Sequence, residues 1–178
     1  MKRSELEHVI RAAAAILDVE DIVVVGSQSV LGRYPEAPAE LLESCEADIY
    51  PRGEPSRSAI IDAVIGEESR FHETFGYYVD GVDEKTSVLP PGWEQRLVRV
   101  VNENTRGAVG WCLDPEDLAL AKHVAGRDKD NRFTQALVRH RMVDRDTLLE
   151  RLDSMELPAE KRAVITGRIA AQFAAARE

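Results

Sequence analysis

The chain has 178 residues, of which 44% are apolar, and acidic side chains outnumber basic ones by 32 to 23. This length suffices for one domain with a substantial core or for a domain with a helical appendage, and the apolar fraction excludes a disordered chain. The net charge of −9 argues against a surface that grips duplex nucleic acid along its phosphates.

No stretch of the sequence has the pattern of a signal peptide or a membrane anchor. The N-terminus is charged, and the longest alanine-rich run, residues 12–17, is far shorter than the ~20 apolar residues that span a bilayer. Cys45 and Cys112 have neither metal-ligand spacing nor the pattern of a disulfide framework, so we interpret both as reduced core cysteines. These features predict a soluble, cytoplasmic protein that has no membrane partner.

A helix and a buried strand open the chain. Ser4 and Glu7 form a capping-box pattern, and apolar residues then recur at helical spacing as far as Asp18. Residues 22–25 are a continuous β-branched run, which is typical of a strand buried on both faces.

The next elements contain the first candidate site residues. Gly26 and Ser27 turn the chain, and a helix is predicted to begin over residues 28–31. A second strand follows a loop and a helical turn, and it carries Glu46 and Asp48. Because side chains alternate across a strand, these two carboxylates point to the same face. Hard oxygen ligands at such a place suit Mg²⁺, which binds through one or two carboxylates and substrate phosphates.

The rest of the chain completes an α/β half and a helical half. After a predicted helix over residues 57–65, β patterns cover residues 75–82, 96–102 and 108–113. Beyond Cys112 the pattern is helical, with helices predicted over residues 114–124, 131–140, 146–155 and 158–177. We therefore predict an α/β (α+β) fold. A mixed β-sheet core flanked by helices occupies residues 1–113, and a helical C-terminal region, residues 114–178, packs on it.

Each candidate motif has an ordinary explanation when it is taken alone. Glycine after a strand most often only makes a turn, and Glu-x-Asp is common on solvated strands. Together they are more informative, because the two carboxylates interrupt an apolar segment in which unpaired charge would be costly to bury.

The ordered set of motifs resembles the nucleotidyltransferase superfamily. It is similar in particular to a bacterial family of minimal, toxin–antitoxin-related nucleotidyltransferase-like proteins whose role is largely unassigned. The resemblance covers roughly residues 20–150. Its motifs are Gly26-Ser-Gln28, Ser44-x-Glu46-x-Asp48-x-Tyr50-Pro51, Leu89-Pro-x-Gly-Trp93-x-x-Arg96-Leu97, Cys112-Leu-x-Pro-x-Asp-Leu118, and Lys122 with Arg127-x-Lys-Asp130.

The resemblance implies a role for the turn and for the two acids. Gly26, Ser27 and Gln28 would bind nucleotide phosphates, and Glu46 and Asp48 would hold Mg²⁺ as catalytic metal ligands. Eighteen residues separate Ser27 from Glu46, which is longer than is usual in the superfamily. An alternative register pairs Asp48 with Tyr50 and leaves a single carboxylate. We favour Glu46 with Asp48, because Ser44 then falls where the superfamily often has a small hydroxyl residue.

The superfamily also uses a third acid and basic residues from its helical half. Asp80 is our candidate for the third catalytic acid, with Glu103 as the alternative, although either could be an exposed carboxylate at a strand end. Lys122 and Arg127 resemble the basic residues that approach the triphosphate. Their ordinary explanation is that cations are favoured at a helix C-terminus, and Asp130 could hold either of them in place.

The function that these residues imply is a Mg²⁺-dependent enzyme that moves a nucleoside monophosphate from an NTP to a hydroxyl acceptor. The acceptor could be RNA, a protein or a small molecule, and a toxin–antitoxin setting with a partner protein follows by analogy alone. The alternative is a catalytically degenerate protein of the same fold that binds a nucleotide or a protein partner without turnover. A third possibility is an interaction protein that uses the helical half.

Overall fold

The computed structural model describes residues 1–176, which form two compact units. The first unit comprises Met1–Ser87 and Leu97–Asp114, and the second comprises Val88–Arg96 and the chain from Pro115 onward. Within the described residues, no helix is both long and apolar enough to traverse a bilayer.

The first unit is built from five strands and four helices of the described chain. The strands are β1 (Asp21–Val25), β2 (Glu46–Pro51), β3 (Tyr78–Gly81), β4 (Val98–Val100) and β5 (Val109–Cys112). The helices are α1 (Arg3–Leu17), α2 (Val30–Arg33), α3 (Ser58–Ile65) and α4 (Arg70–Phe75).

The strands form one mixed sheet in the order β3-β2-β1-β5-β4. β1 pairs antiparallel with β2 and parallel with β5, while β3 lies parallel to β2 and β4 antiparallel to β5. The β-branched residues 22–25 of β1 are buried, as a central strand requires. The predicted mixed sheet with flanking helices and a helical C-terminal half is therefore confirmed.

The first helix is where the sequence predicts it, but its capping differs. α1 begins at Arg3, and the backbone N–H of Lys2 donates to the Glu5 carboxylate at 2.6 Å. Glu7 is instead buried, and it accepts hydrogen bonds from Arg3, Asn102 and Asn104. The predicted pairing of Ser4 with Glu7 is wrong because the helix begins two residues earlier than a cap at Ser4 requires, which moves the capping position to Lys2.

Two predicted strands are shorter than the sequence suggests. The aromatic stretch from residue 75 begins inside α4, which Gly76 ends, so that β3 starts only at Tyr78. Residues Trp93–Arg96 form a 3-10 turn, and β4 covers only three residues. Cys112 is buried as predicted, but Cys45, the last residue before β2, is exposed.

The second unit is helical. Its helices are α5 (Pro115–Ala125), α6 (Asp128–Arg139), α7 (Arg145–Ser154) and α8 (Ala159–Ala175). The predicted end of the last helix at Arg177 lies outside the described residues. A cavity of about 480 Å³ in this unit is lined by residues 88–95 with Met155 and Glu156, and it contains none of the candidate site residues.

Candidate metal centre

Three carboxylates meet on two neighbouring strands. Glu46 and Asp48 lie on β2, and Asp80 lies on β3 directly opposite Asp48. One carboxylate oxygen from each residue lies within 4.8 Å of the others, and all three side chains are half-buried. Ala47 and Ile49, which alternate with the two acids along β2, are completely buried. Because side chains alternate along the strand, one face of β2 packs in the core and the other face carries the two acids.

The turn after β1 lies directly against this cluster. Val25, the last residue of β1, pairs with Asp48, and Gly26 follows. A Cβ atom placed on Gly26 would lie 1.7 Å from the Oδ2 atom of Asp48, and Gly26 has φ +64° and ψ −169°. Only glycine adopts that backbone conformation readily. The Gly26 bend therefore lies in direct contact with one of the paired acids.

The chain after Gly26 forms two short helical pieces rather than one regular helix. Ser27–Ser29 is a 3-10 turn, and α2 adds only four residues. Ser27 is half-buried, whereas Gln28 is completely buried and its Nε2 donates to the Ser44 carbonyl oxygen at 3.0 Å. The side chain of Gln28 thus ties the turn to the segment that leads into β2. Any contribution of Gln28 to phosphate binding would have to come from its backbone.

A tyrosine borders the acids on the same strand as Asp80. The hydroxyl of Tyr78 donates a hydrogen bond to the Oε2 atom of Glu46 at 3.1 Å. Burial, followed by the negative charge of Glu46, raises the pKa of the Tyr78 hydroxyl far above its ordinary value. This group therefore stays protonated and acts as a donor to the carboxylate.

The electrostatics of the cluster favour a bound cation. Burial raises the pKa of Asp80, and the negative charges of Glu46, Asp62 and Glu67 raise it further. Three carboxylates held this close repel one another, and a divalent cation would remove the repulsion. Carboxylate oxygens are also the donors that hard cations such as Mg²⁺ and Ca²⁺ take. The donor set and its geometry therefore fit a divalent metal ion.

The other candidate acid lies elsewhere in the first unit. Glu103 is exposed in the turn Glu103–Thr105 that follows β4. β4 and β3 are the two opposite edges of the sheet, so this carboxylate does not reach the cluster. Of the two candidates, the structure brings only Asp80 to Glu46 and Asp48.

The two basic candidates lie in the second unit around a buried carboxylate. The Nζ atom of Lys122 lies 3.4 Å from Asp130 Oδ1, and the Nε atom of Arg127 lies 2.7 Å from Asp130 Oδ2. The Asp130 side chain is completely buried, and Lys122 also lies over the Phe133 ring at 5.4 Å. The expectation that Asp130 holds these cations is confirmed for both.

One neighbour of the acids was missed by reasoning from the sequence. Tyr78 and Asp80 are two residues apart on β3, which is the spacing that singled out Glu46 and Asp48. The same rule of alternation could have placed Tyr78 on the acidic face once β3 was assigned as the neighbour of β2.

The chain matches a protein-family model. Residues 4–167 match the family DUF6036, which is described as a nucleotidyltransferase of unknown function. No curated protein and no solved structure gives a significant match to the chain.

Proposed function

Because the chain belongs to this family of nucleotidyltransferases of unknown function, we propose that it is a Mg²⁺-dependent enzyme. It transfers a nucleoside monophosphate from an NTP to a hydroxyl group of an acceptor and releases pyrophosphate. The acceptor is an RNA, a protein or a small molecule, and the net charge of −9 favours the last two over a long polyanion.

One observation carries the proposal. Glu46, Asp48 and Asp80 place carboxylate oxygens within 4.8 Å of one another, and the Gly26 turn lies against Asp48. A cluster of acids alone would be common on a protein surface. A cluster at a bend that only glycine can form, in a chain of this family, is the arrangement that metal-assisted transfer of a nucleotide needs.

The residues divide between the metal and the phosphates. Glu46 and Asp48 would hold Mg²⁺, and Asp80 would join them or accept the proton of the acceptor. The half-buried Ser27 offers a hydroxyl and a backbone N–H for the phosphates beside Gly26. Mg²⁺, when bound, would neutralise negative charge on the phosphate oxygens as the bond to the leaving group breaks.

The reaction exchanges a phosphoanhydride bond of the NTP for a phosphoester bond to the acceptor. The acceptor oxygen forms a bond to the α-phosphorus of the NTP. The bond between the α-phosphorus and the oxygen that links it to the β-phosphorus breaks. The acceptor proton passes to the Asp80 carboxylate, and pyrophosphate leaves with the electron pair of the broken bond. Without the metal ion, burial and then the charges of Glu46, Asp62 and Glu67 raise the pKa of Asp80, and a bound cation would offset the part that comes from charge.

The test is incubation of the purified protein with Mg²⁺, each labelled NTP and a cell lysate as the source of acceptor. We expect transfer of the label together with pyrophosphate release. Both should be lost in Glu46→Gln and Asp48→Asn, which keep the shape of the side chains and remove their charge.

Two other outcomes would identify the alternatives. NTP-dependent thermal stabilisation without label transfer or pyrophosphate release would indicate a protein of this fold that binds a nucleotide without turnover. If no nucleotide has any effect, both the enzyme and the nucleotide-binding hypotheses are wrong. The remaining hypothesis is then an interaction protein. A toxin–antitoxin setting would require in addition a partner protein whose activity changes when it carries the label.

A further inference from the structure

We propose that Tyr78 is a positioning residue that orients Glu46 for metal binding. This inference rests on the proposed function, because it concerns the metal ion of the same site. Tyr78 itself touches neither the metal nor the substrate in this proposal, and it acts through the carboxylate that it holds.

The backbone places the two side chains opposite each other. Tyr78 on β3 is the register partner of Glu46 on β2, and the Tyr78 backbone N–H donates to the Cys45 carbonyl oxygen at 3.1 Å. Side chains of directly opposed residues share one face of a sheet. The 3.1 Å bond from the Tyr78 hydroxyl to Glu46 Oε2 therefore follows from the strand pairing.

The hydrogen bond occupies only one oxygen of the carboxylate. The Tyr78 hydroxyl is the donor of this bond, because the oxygens of an ionised carboxylate can only accept. The bond holds Oε2 and so limits rotation of the carboxylate about its terminal bond. The other oxygen is then presented to the neighbouring acids in a defined direction. Hydrogen bonds of this kind to metal ligands typically contribute about 10- to 100-fold in metal affinity.

A second aromatic ring holds the tyrosine in place. The His72 ring on α4 lies 4.6 Å from the Tyr78 ring, measured between centroids. His72 is itself fixed by two hydrogen bonds of 3.2 Å. Its ring Nδ1 accepts from the Glu68 backbone N–H, and its backbone N–H donates to the Ser69 hydroxyl. The start of α4 therefore restricts the rotamer of Tyr78 and with it the position of the hydroxyl.

The experiment measures Mn²⁺ affinity by electron paramagnetic resonance, using the full chain without nucleotide. We expect Tyr78→Phe to bind Mn²⁺ about 10-fold more weakly than the wild type, or weaker still. The matched control is Tyr77→Phe, which removes the neighbouring hydroxyl that meets His8 Nδ1 at 2.7 Å. Adjacent residues of an extended chain point to opposite sides, so the control should leave the affinity unchanged.

A double-mutant cycle separates positioning from a general structural effect. In a Glu46→Gln background, Tyr78→Phe should cause no further loss, because the carboxylate on which it acts is gone. An equal loss in both backgrounds, or no loss in the wild-type background, overturns the inference and leaves the proposed function standing. If the wild type shows no Mn²⁺ site that Asp48→Asn removes, the proposed function fails, and the inference fails with it.

A second variant keeps the test decisive if Tyr78→Phe does not fold. His72→Ala retains the Tyr78 hydroxyl and removes only the ring that restricts it. We expect a smaller loss of Mn²⁺ affinity in the same direction. An unchanged affinity in a folded His72→Ala variant would contradict the claim that α4 fixes the tyrosine.

Discussion

Gly26 links the backbone of the turn to the position of a metal ligand. Its φ of +64° with ψ of −169° belongs to a region that other residues rarely adopt. Its missing side chain also provides the space that the Asp48 carboxylate occupies, since a Cβ atom would lie 1.7 Å from Oδ2. The same residue therefore meets a conformational and a steric requirement, and both concern the candidate site.

Replacing Gly26 by alanine should disturb the site more than the fold. The Asp48 carboxylate can rotate away from the new methyl group, so the clash is relieved by moving the metal ligand. We expect Mn²⁺ affinity to fall at least tenfold, and backbone strain to lower the free energy of unfolding by about 1–3 kcal/mol. Titration with Mn²⁺ and denaturation in urea measure the two effects separately.

Gly53 provides the matched control. It also has a positive φ, +82°, but a Cβ atom there would meet nothing within 4 Å. Gly53→Ala should therefore lose stability through backbone strain and keep its Mn²⁺ affinity. Equal Mn²⁺ affinities in the two alanine variants would contradict the steric role of Gly26.

Asp80 should make the metal-free protein less stable as the pH rises. Its folded-state pKa lies above the ordinary value of 3.8, so the folded state binds its proton more tightly than the unfolded state. This favourable contribution is complete below pH 3.8 and disappears as the pH rises through the folded-state pKa. The difference in unfolding free energy between wild type and Asp80→Asn should therefore shift against the wild type over that range. Urea denaturation across that pH range measures it, and a constant difference would contradict the prediction.

At the scale of elements, the strand pair β1 and β2 is the part of the site that the sequence predicts well. The run 22–25 and the alternation of Glu46 and Asp48 are local patterns, so they can be recognised without knowing the fold. Asp80 could only be one of two candidates, because its meeting with Asp48 depends on the parallel pairing of β2 with β3. Such pairings join segments that are distant in the chain, and their register cannot be predicted from the sequence of either segment alone.

The late start of β3 has a particular physical cause. The aromatic residues before Tyr78 have β propensity, but Ser69 caps a short helix whose last residue is Phe75.

The segment Val88–Arg96 belongs to the second unit although it precedes β4 in the chain. Arg96 ties this segment to α5, since it donates two hydrogen bonds to the buried Asp117. An arginine and an aspartate 21 residues apart give no periodic signal that could reveal the contact.

Removing the charge of Asp117 should destabilise the second unit strongly. Its completely buried carboxylate also accepts a hydrogen bond from Arg151 at 2.9 Å, so it joins α5, α7 and the segment that carries Arg96. Asp117→Asn leaves two guanidinium groups facing an amide, and we expect a loss of about 3 kcal/mol in the free energy of unfolding.

The matched control is Asp153→Asn, whose side chain is 80% exposed and lies 3.9 Å from Arg162. That change should cost less than about 0.5 kcal/mol, because exposed ion pairs contribute little. Chemical denaturation of both variants tests the contrast. A similar loss in the two variants would contradict the importance that we assign to the buried carboxylate.

At the scale of the whole molecule, the excess of acids has a general and a local consequence. A net charge of −9 attracts cations weakly to the surface, and added salt screens this attraction. The cluster of Glu46, Asp48 and Asp80 is different, because its oxygens converge within 4.8 Å and could hold one cation directly. A divalent ion at this cluster would bind the folded chain and have no equivalent site in the unfolded chain.

Mg²⁺ should therefore raise the unfolding temperature beyond what salt alone achieves. A ligand present at about 100 times its dissociation constant stabilises the folded state by about 2.7 kcal/mol. KCl at equal ionic strength controls for screening, and EDTA should reverse the effect. The Glu46→Gln, Asp48→Asn double variant should lose the response to Mg²⁺, while its stability without metal should rise, because the repulsion among the three acids is relieved. If Mg²⁺ and KCl stabilise the wild type and the double variant equally, the acids act only as surface charge and hold no specific ion.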